Sequence, residues 1–100
     1  MVLLDARLRA HLPPLRSQEA EADPVVYARF WLSGQSWYVL EGQPEGEDFV
    51  FFGFVTGVDE FCEFRLSELA AARSPGGSHV ELDPAFTEGR LTEVVPAPDS

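Results

Sequence analysis

Residues 48–55, Asp-Phe-Val-Phe-Phe-Gly-Phe-Val, hold four of the chain's eight phenylalanines and limit what can surround them. A run this rich in aromatic and β-branched residues reads as a strand. Alternation sends Phe49, Phe51 and Val55 to one layer and Val50, Phe52 and Phe54 to another, so both faces of the sheet are expected to be covered. Gly53, which has no side chain, admits another backbone or a ring at close range.

A chain of 100 residues buries only about 60 to 65% of the surface its unfolded form exposes, enough for one core and not two. The expectation is a single domain over residues 1–95, followed by a loose tail at 96–100. No apolar run approaches the roughly 18 residues of a membrane span. The start, Met1-Val2-Leu3-Leu4-Asp5, has neither a basic region nor a long apolar stretch. The lone Cys62 suits a reducing compartment and supplies no metal framework, so the expected location is the cytoplasm.

Charge narrows the partners. Seven arginines and no lysine stand against seventeen acids, for a net charge of -10. Direct contact with nucleic acid needs clustered Lys or Arg, and none is present. A basic protein surface fits better, although acidity also serves solubility.

Leu4, Leu8 and Leu12 at four-residue spacing, with Asp5 as N-cap and Pro13-Pro14 as stop, predict a short N-terminal helix with one leucine stripe. Residues 15–23 read as an exposed acidic linker. Val25 to Leu32 follows as a strand with Val26, Ala28, Phe30 and Leu32 facing the core. After the Ser33-Gly34-Gln35 turn, a second strand runs from about Ser36 to Glu41, and a polar loop at 42–47 leads into the aromatic strand. Glu60 to Leu66 reads as a half-buried edge strand with Cys62, Phe64 and Leu66 inward. Ser67 is expected to cap a helix over Glu68 to Arg73. Beyond it come an extended piece at Val80 to Asp83, an anchor at Phe86 and a last turn near Leu91 to Val94. No internal repeat stands out. The fold class is therefore α+β: a four-stranded, mainly antiparallel meander with the N-terminal helix and a short second helix packed on it.

Several blocks carry a family resemblance. They are Asp23-Pro24 with the strand after it, Trp37-Tyr38-Val39-Leu40-Glu41, Gly46-Glu47-Asp48 through Phe51-Phe52-Gly53 to Gly57, Leu66-Ser67-Glu68-Leu69, and Val80-Glu81-Leu82-Asp83 with Phe86. From Asp23 onward the chain resembles a bacterial family known as domain of unknown function 2958, whose members occur on plasmids, integrative elements and phages. It departs from the family at Leu82, where members usually carry arginine, at Gln35, where they carry tryptophan, and around Cys62-Glu63, where they carry Gly-Tyr. The resemblance implies a fold and a mobile-element context; the family has no established activity to carry across.

The residues leave three functions open. In the favoured one the chain is a non-enzymatic protein-binding domain that presents its acidic surface to a basic nucleic-acid-binding enzyme, as an inhibitor from a mobile element would. The candidate surface joins an aromatic group, Arg29, Trp31, Trp37 and Tyr38, to carboxylates at strand ends and loops, Glu41, Glu47, Asp48, Asp59 and Glu60. The alternatives are an accessory module that dimerises through a strand edge without inhibiting anything, and a small enzyme or metal binder using converging carboxylates. No cofactor or metal is expected, because no Asp-x-Asp-x-Asp-Gly loop or His/Cys spacing is present. Cys62 is a poor nucleophile, since Glu60 and Glu63 would raise its thiol pKa. His11 and His79 read as surface histidines.

Overall fold

The elements of the computed structural model, which describes Leu4 and residues 6–95, are, in chain order, α1 (Ala6–His11), β1 (Val25–Val26), β2 (Ala28–Leu32), β3 (Gln35–Glu45), β4 (Asp48–Val55), β5 (Glu60–Arg65), α2 (Leu66–Ala71), β6 (Glu81–Leu82), β7 (Gly89–Arg90) and α3 (Leu91–Val94). The α+β class holds, with five antiparallel strands in the main sheet rather than four. The order is β5-β4-β3-β2-β6, so the meander acquires the short β6 on its β2 side, and β1 pairs separately with β7. Asp5 and the tail at 96–100 lie outside the described residues.

One face of the sheet carries the main core. Phe30, Trp37, Val39, Phe49, Phe51, Val55 and Phe64 pack there with Leu12, Leu69 and Val80. The Phe51 ring contacts Phe30, Phe49 and Phe64, with centroids 5.1–5.5 Å apart. The expected leucine stripe is present: Leu4 and Leu8 pack against this cluster and Leu12 is buried in it. Arg9 lies over the Phe49 ring at 5.2 Å. α2 closes the same face through Leu69.

The second face is different. Val26, Tyr38 and Leu40 form its buried centre, and Phe52, Phe54, Phe86, Leu91, Val94 and Val95 pack around them. Val26 therefore belongs here, not with Ala28, Phe30 and Leu32. The strand breaks at Tyr27, which packs against the main core, and β1 turns away to pair with β7. The segment from Asp83 to Val95 lies over the β2–β3 half of this face, where Phe86 meets the Tyr38 ring at 6.4 Å.

β3 runs to Glu45, four residues past the expected end, and the turn shrinks to Gly46-Glu47 with Gly46 at φ 60°. Pro44 is tolerated because in this register its nitrogen points away from β4, beyond the end of β2, where no ladder bond is lost. The register also shifts between Val39 and Glu41, leaving Leu40 as a β-bulge. The bulge turns both Leu40 and Glu41 to the second face. Gly42 then returns to the core side, where a Cβ would meet Phe49 at 2.6 Å and Leu12 at 3.0 Å. Opposite the bulge, a Cβ on Gly53 would overlap the Tyr38 carbonyl, which is the close backbone approach expected of this glycine.

Candidate functional site

Residues 15–23 are not a free linker. Buried Glu41, only 3% exposed, accepts hydrogen bonds from the backbone N–H groups of Arg16 and Gln18, each at 2.7 Å. The Gln18 amide donates to the carbonyls of Val25 and Leu40 and accepts from the Val25 N–H. A carboxylate and an amide thus clamp this segment onto the sheet, and both are fully satisfied. The bulge makes the clamp, because without it Glu41 would face the hydrophobic core.

The clamped segment forms one wall of a groove of about 470 Å³ on the second face. Leu40, Phe52, Phe61, Pro24 and Leu91 supply apolar surface, and Glu19, Glu21 and Glu63 stand on its rim with Arg16. Glu21 lies 3.6 Å from the Arg90 guanidinium. Among the described residues, no cation lies within ion-pair distance of Glu19 or Glu63, and Arg65, which feels the charge of Glu63, is itself paired with Glu45. Phe61 is 49% exposed yet built into a ring cluster, stacked on Phe52 at 6.1 Å and edge-on to Phe54 at 5.2 Å. It is the residue sequence reasoning missed. Placing Cys62 and Phe64 inward already leaves Phe61 outward with Glu63, and that is where the signal lay.

The proposed aromatic group does not form a single patch. β2 pairs with β3 so that Phe30 faces Trp37 and Arg29 faces Tyr38, which puts the two β3 aromatics on opposite faces. Trp37 is buried in the main core and Tyr38 lies under Phe86. The Arg29 guanidinium donates to Asp83 at 2.9 Å and to Ser36 Oγ at 3.0 Å. Trp31, 37% exposed, remains alone on the surface.

The carboxylates do not converge either. Glu47 and Asp48 sit at the β3–β4 turn and Asp59 and Glu60 at the β4–β5 turn, so the length of β4, roughly 25 Å, separates them. Among the described residues, no group of three or more His, Cys, Asp or Glu is placed to hold a metal.

Asp48 serves the fold. It accepts hydrogen bonds from both the N–H and the hydroxyl of Ser67, while Glu68 accepts the Arg65 N–H at 2.7 Å. Ser67 is thus the second residue of α2, and its cap comes from a neighbouring strand. The device recurs at α3: Asp23 accepts from the N–H and hydroxyl of Thr92, and Glu93 accepts the Arg90 N–H. Arg-Leu-Ser-Glu-Leu and Arg-Leu-Thr-Glu-Val are thus a short repeat, against the expectation of none, and the shared caps make it visible. Hydrogen bonds from Ser67 and the Phe49 N–H hold the Asp48 carboxyl below its ordinary value, as those from Thr92 do for Asp23. The hydrogen bonds and charge of Arg65 act likewise on Glu45.

Burial, followed by Glu60 and Glu68, pushes the Cys62 thiol up, so the residue is a partly buried packing group and a weak nucleophile. His11 Nε2 lies 2.7 Å from Glu88, and its ring meets Tyr27 edge-on at 5.3 Å. These contacts line a second depression of about 350 Å³, shared with Arg7 and Asp83. His79 is exposed, and its backbone bridges to Arg73. No helix among the described residues is long and apolar enough to cross a membrane.

These features define a small α+β domain with one closed sheet face and one half-open aromatic face. The chain belongs to the family described as Protein of unknown function (DUF2958), whose profile matches residues 3–97. Neither a search of curated proteins nor one of solved structures returns a match.

Proposed function

We propose that the chain is a non-enzymatic protein-binding domain that uses the groove beside Phe61 to hold a segment carrying apolar side chains flanked by Lys or Arg. The observation behind this is the half-exposed Phe61, fixed on Phe52 and Phe54 at the edge of an acid-rimmed apolar groove. A fixed aromatic loses little entropy on binding and offers a large contact area, which is the character of an interface anchor. Glu19 and Glu63, with a net charge of -10 behind them, select a basic occupant.

Basic segments of this kind are abundant on nucleic-acid-handling enzymes, and we assign the partner to that class, with inhibition as the outcome and the cytoplasm, where a lone thiol stays reduced, as the location. Asp23, Glu41, Glu45, Asp48, Glu68, Asp83 and Glu93 are engaged within the fold, and Glu47 lies at the other end of β4 from Asp59 and Glu60. This favours recognition of a basic and apolar segment over imitation of a phosphate backbone. The test is capture from host lysate by the tagged chain, washed at low and at high salt, with bound proteins identified by mass spectrometry. A basic partner retained at low salt and reduced but not lost at high salt is the expected result. Absence of a specific partner at both salts overturns the reading.

A further inference from the structure

We propose that the partner segment binds as an added strand on the free edge of β5, which borders the groove; this rests on the groove reading above and specifies how the groove is used. β5 is the last strand of the sheet on its side. The ladder settles which of its backbone groups are free. The Thr56 N–H donates to the Ser36 carbonyl, so the even-numbered residues at this end of β4 bond to β3 and the odd-numbered ones bond to β5. Gly53 and Phe51 face Cys62 and Phe64, and these are the bonded pairs. The N–H and C=O of Phe61 and Glu63 therefore point out of the sheet, and among the described residues nothing takes them up. The next outward N–H, that of Arg65, is closed by Glu68. The open edge is short, and it coincides with the residues that line the groove.

The side chains specify the occupant. Phe61 and Glu63 face the groove, so an added strand lays an apolar residue beside Phe61 and a Lys or Arg beside Glu63. Glu60 asks for a second basic residue at the strand's end. A second copy of the chain is a poor occupant. In every antiparallel register that uses the free groups of both Phe61 and Glu63, Glu63 meets Glu63, Asp59 or the Phe61 ring, and Arg65, the basic residue of this edge, is already tied to Glu45. The edge is guarded against itself and open to a basic strand.

The test uses the intact chain and the peptide acetyl-Val-Lys-Thr-Val-Lys-amide, which in antiparallel register sets lysines opposite Glu63 and Glu60 and valine opposite Phe61. Backbone amide chemical shifts follow binding, with the largest changes expected at Phe61 and Glu63. N-methylation of the peptide's second and fourth residues removes the donors aimed at β5 and should weaken binding at least about tenfold. N-methylation of the third should leave it within about twofold. On the protein, Glu63→Pro removes an N–H that no neighbour uses, which an edge strand tolerates, and should weaken binding at least about tenfold beyond Glu63→Gln, which removes the same charge and keeps the N–H. Equal binding of the methylated peptides, or no binding of the parent peptide at millimolar concentration, overturns strand addition. The groove reading fails separately: if lysate capture is lost in Phe61→Asp but is equal in Glu63→Pro and Glu63→Gln, the groove stands and strand addition falls.

Discussion

The two faces of the sheet are built from the same aromatic strand and end in different states. Phe49 and Phe51 on one face are at most 1% exposed, enclosed by α1, α2 and the rings of Phe30 and Phe64. Phe52 and Phe54 on the other are half-buried, with Phe86, Leu91 and Val94 over the β2–β3 side and Phe61 beside them on the β4–β5 side. The closed face carries stability. The open half leaves apolar surface that folding alone does not use, and the clamp of Glu41 and Gln18 shapes it into a groove. Alternation along a strand fixes which residues share a face, while the cover over each face depends on where distant segments return.

The comparison breaks most sharply under truncation. Phe51→Ala removes a fully enclosed ring and should cost about 3–5 kcal/mol, lowering the melting temperature by more than about 12 °C, whereas Phe61→Ala should cost about 1 kcal/mol or 4–8 °C. Similar losses, read by thermal unfolding, would merge the two faces. Gly53→Ala pushes a methyl into the Tyr38 carbonyl and should cost about 1–3 kcal/mol by prying β3 from β4 beside the bulge. A denaturant midpoint unchanged from wild type would remove the bulge from the account.

The two capping aspartates sharpen it further. Both have folded pKa values depressed below the ordinary 3.8. Just below that value the unfolded chain binds more protons, so their stabilisation is fully present above it and is lost as pH falls through the folded values. Asp48→Asn and Asp23→Asn should each flatten the fall of melting temperature below about pH 4; an unchanged acid limb in both would show the caps to be idle. The smallest expected effect concerns Cys62. Its thiol should react with iodoacetamide more slowly than a free cysteine peptide at pH 8, with the gap closing as pH rises, and equal rates would place it on the open surface.

Much of the fold was legible in the sequence. Strand order in the meander, the two-sided aromatic strand, the leucine stripe and the inward Cys62 and Phe64 all follow from spacing. The site was legible only in fragments. Tyr38 and Trp37 are neighbours in sequence and go to opposite faces by strand geometry alone, which dissolves the proposed aromatic group. Asp48 and Glu41 were visible as candidate site residues, but their partners, Ser67 nineteen positions away and the backbone of Arg16 and Gln18 twenty-five and twenty-three away, are set by tertiary structure. The bulge at Leu40 carries no local signature, and it decides that Glu41 faces the groove. Phe61 could have been found by asking what the alternation of β5 leaves outside.

The central claim is that the β4–β5 half of the second face is a binding surface and not unfinished core. Its most direct test is Phe61→Asp, with thermal stability and lysate capture measured on the same preparation. The account predicts a melting temperature within about 8 °C of wild type together with loss of the captured partner. A variant that unfolds would return Phe61 to the core, and a folded variant that captures the same partner as wild type would place the interface elsewhere.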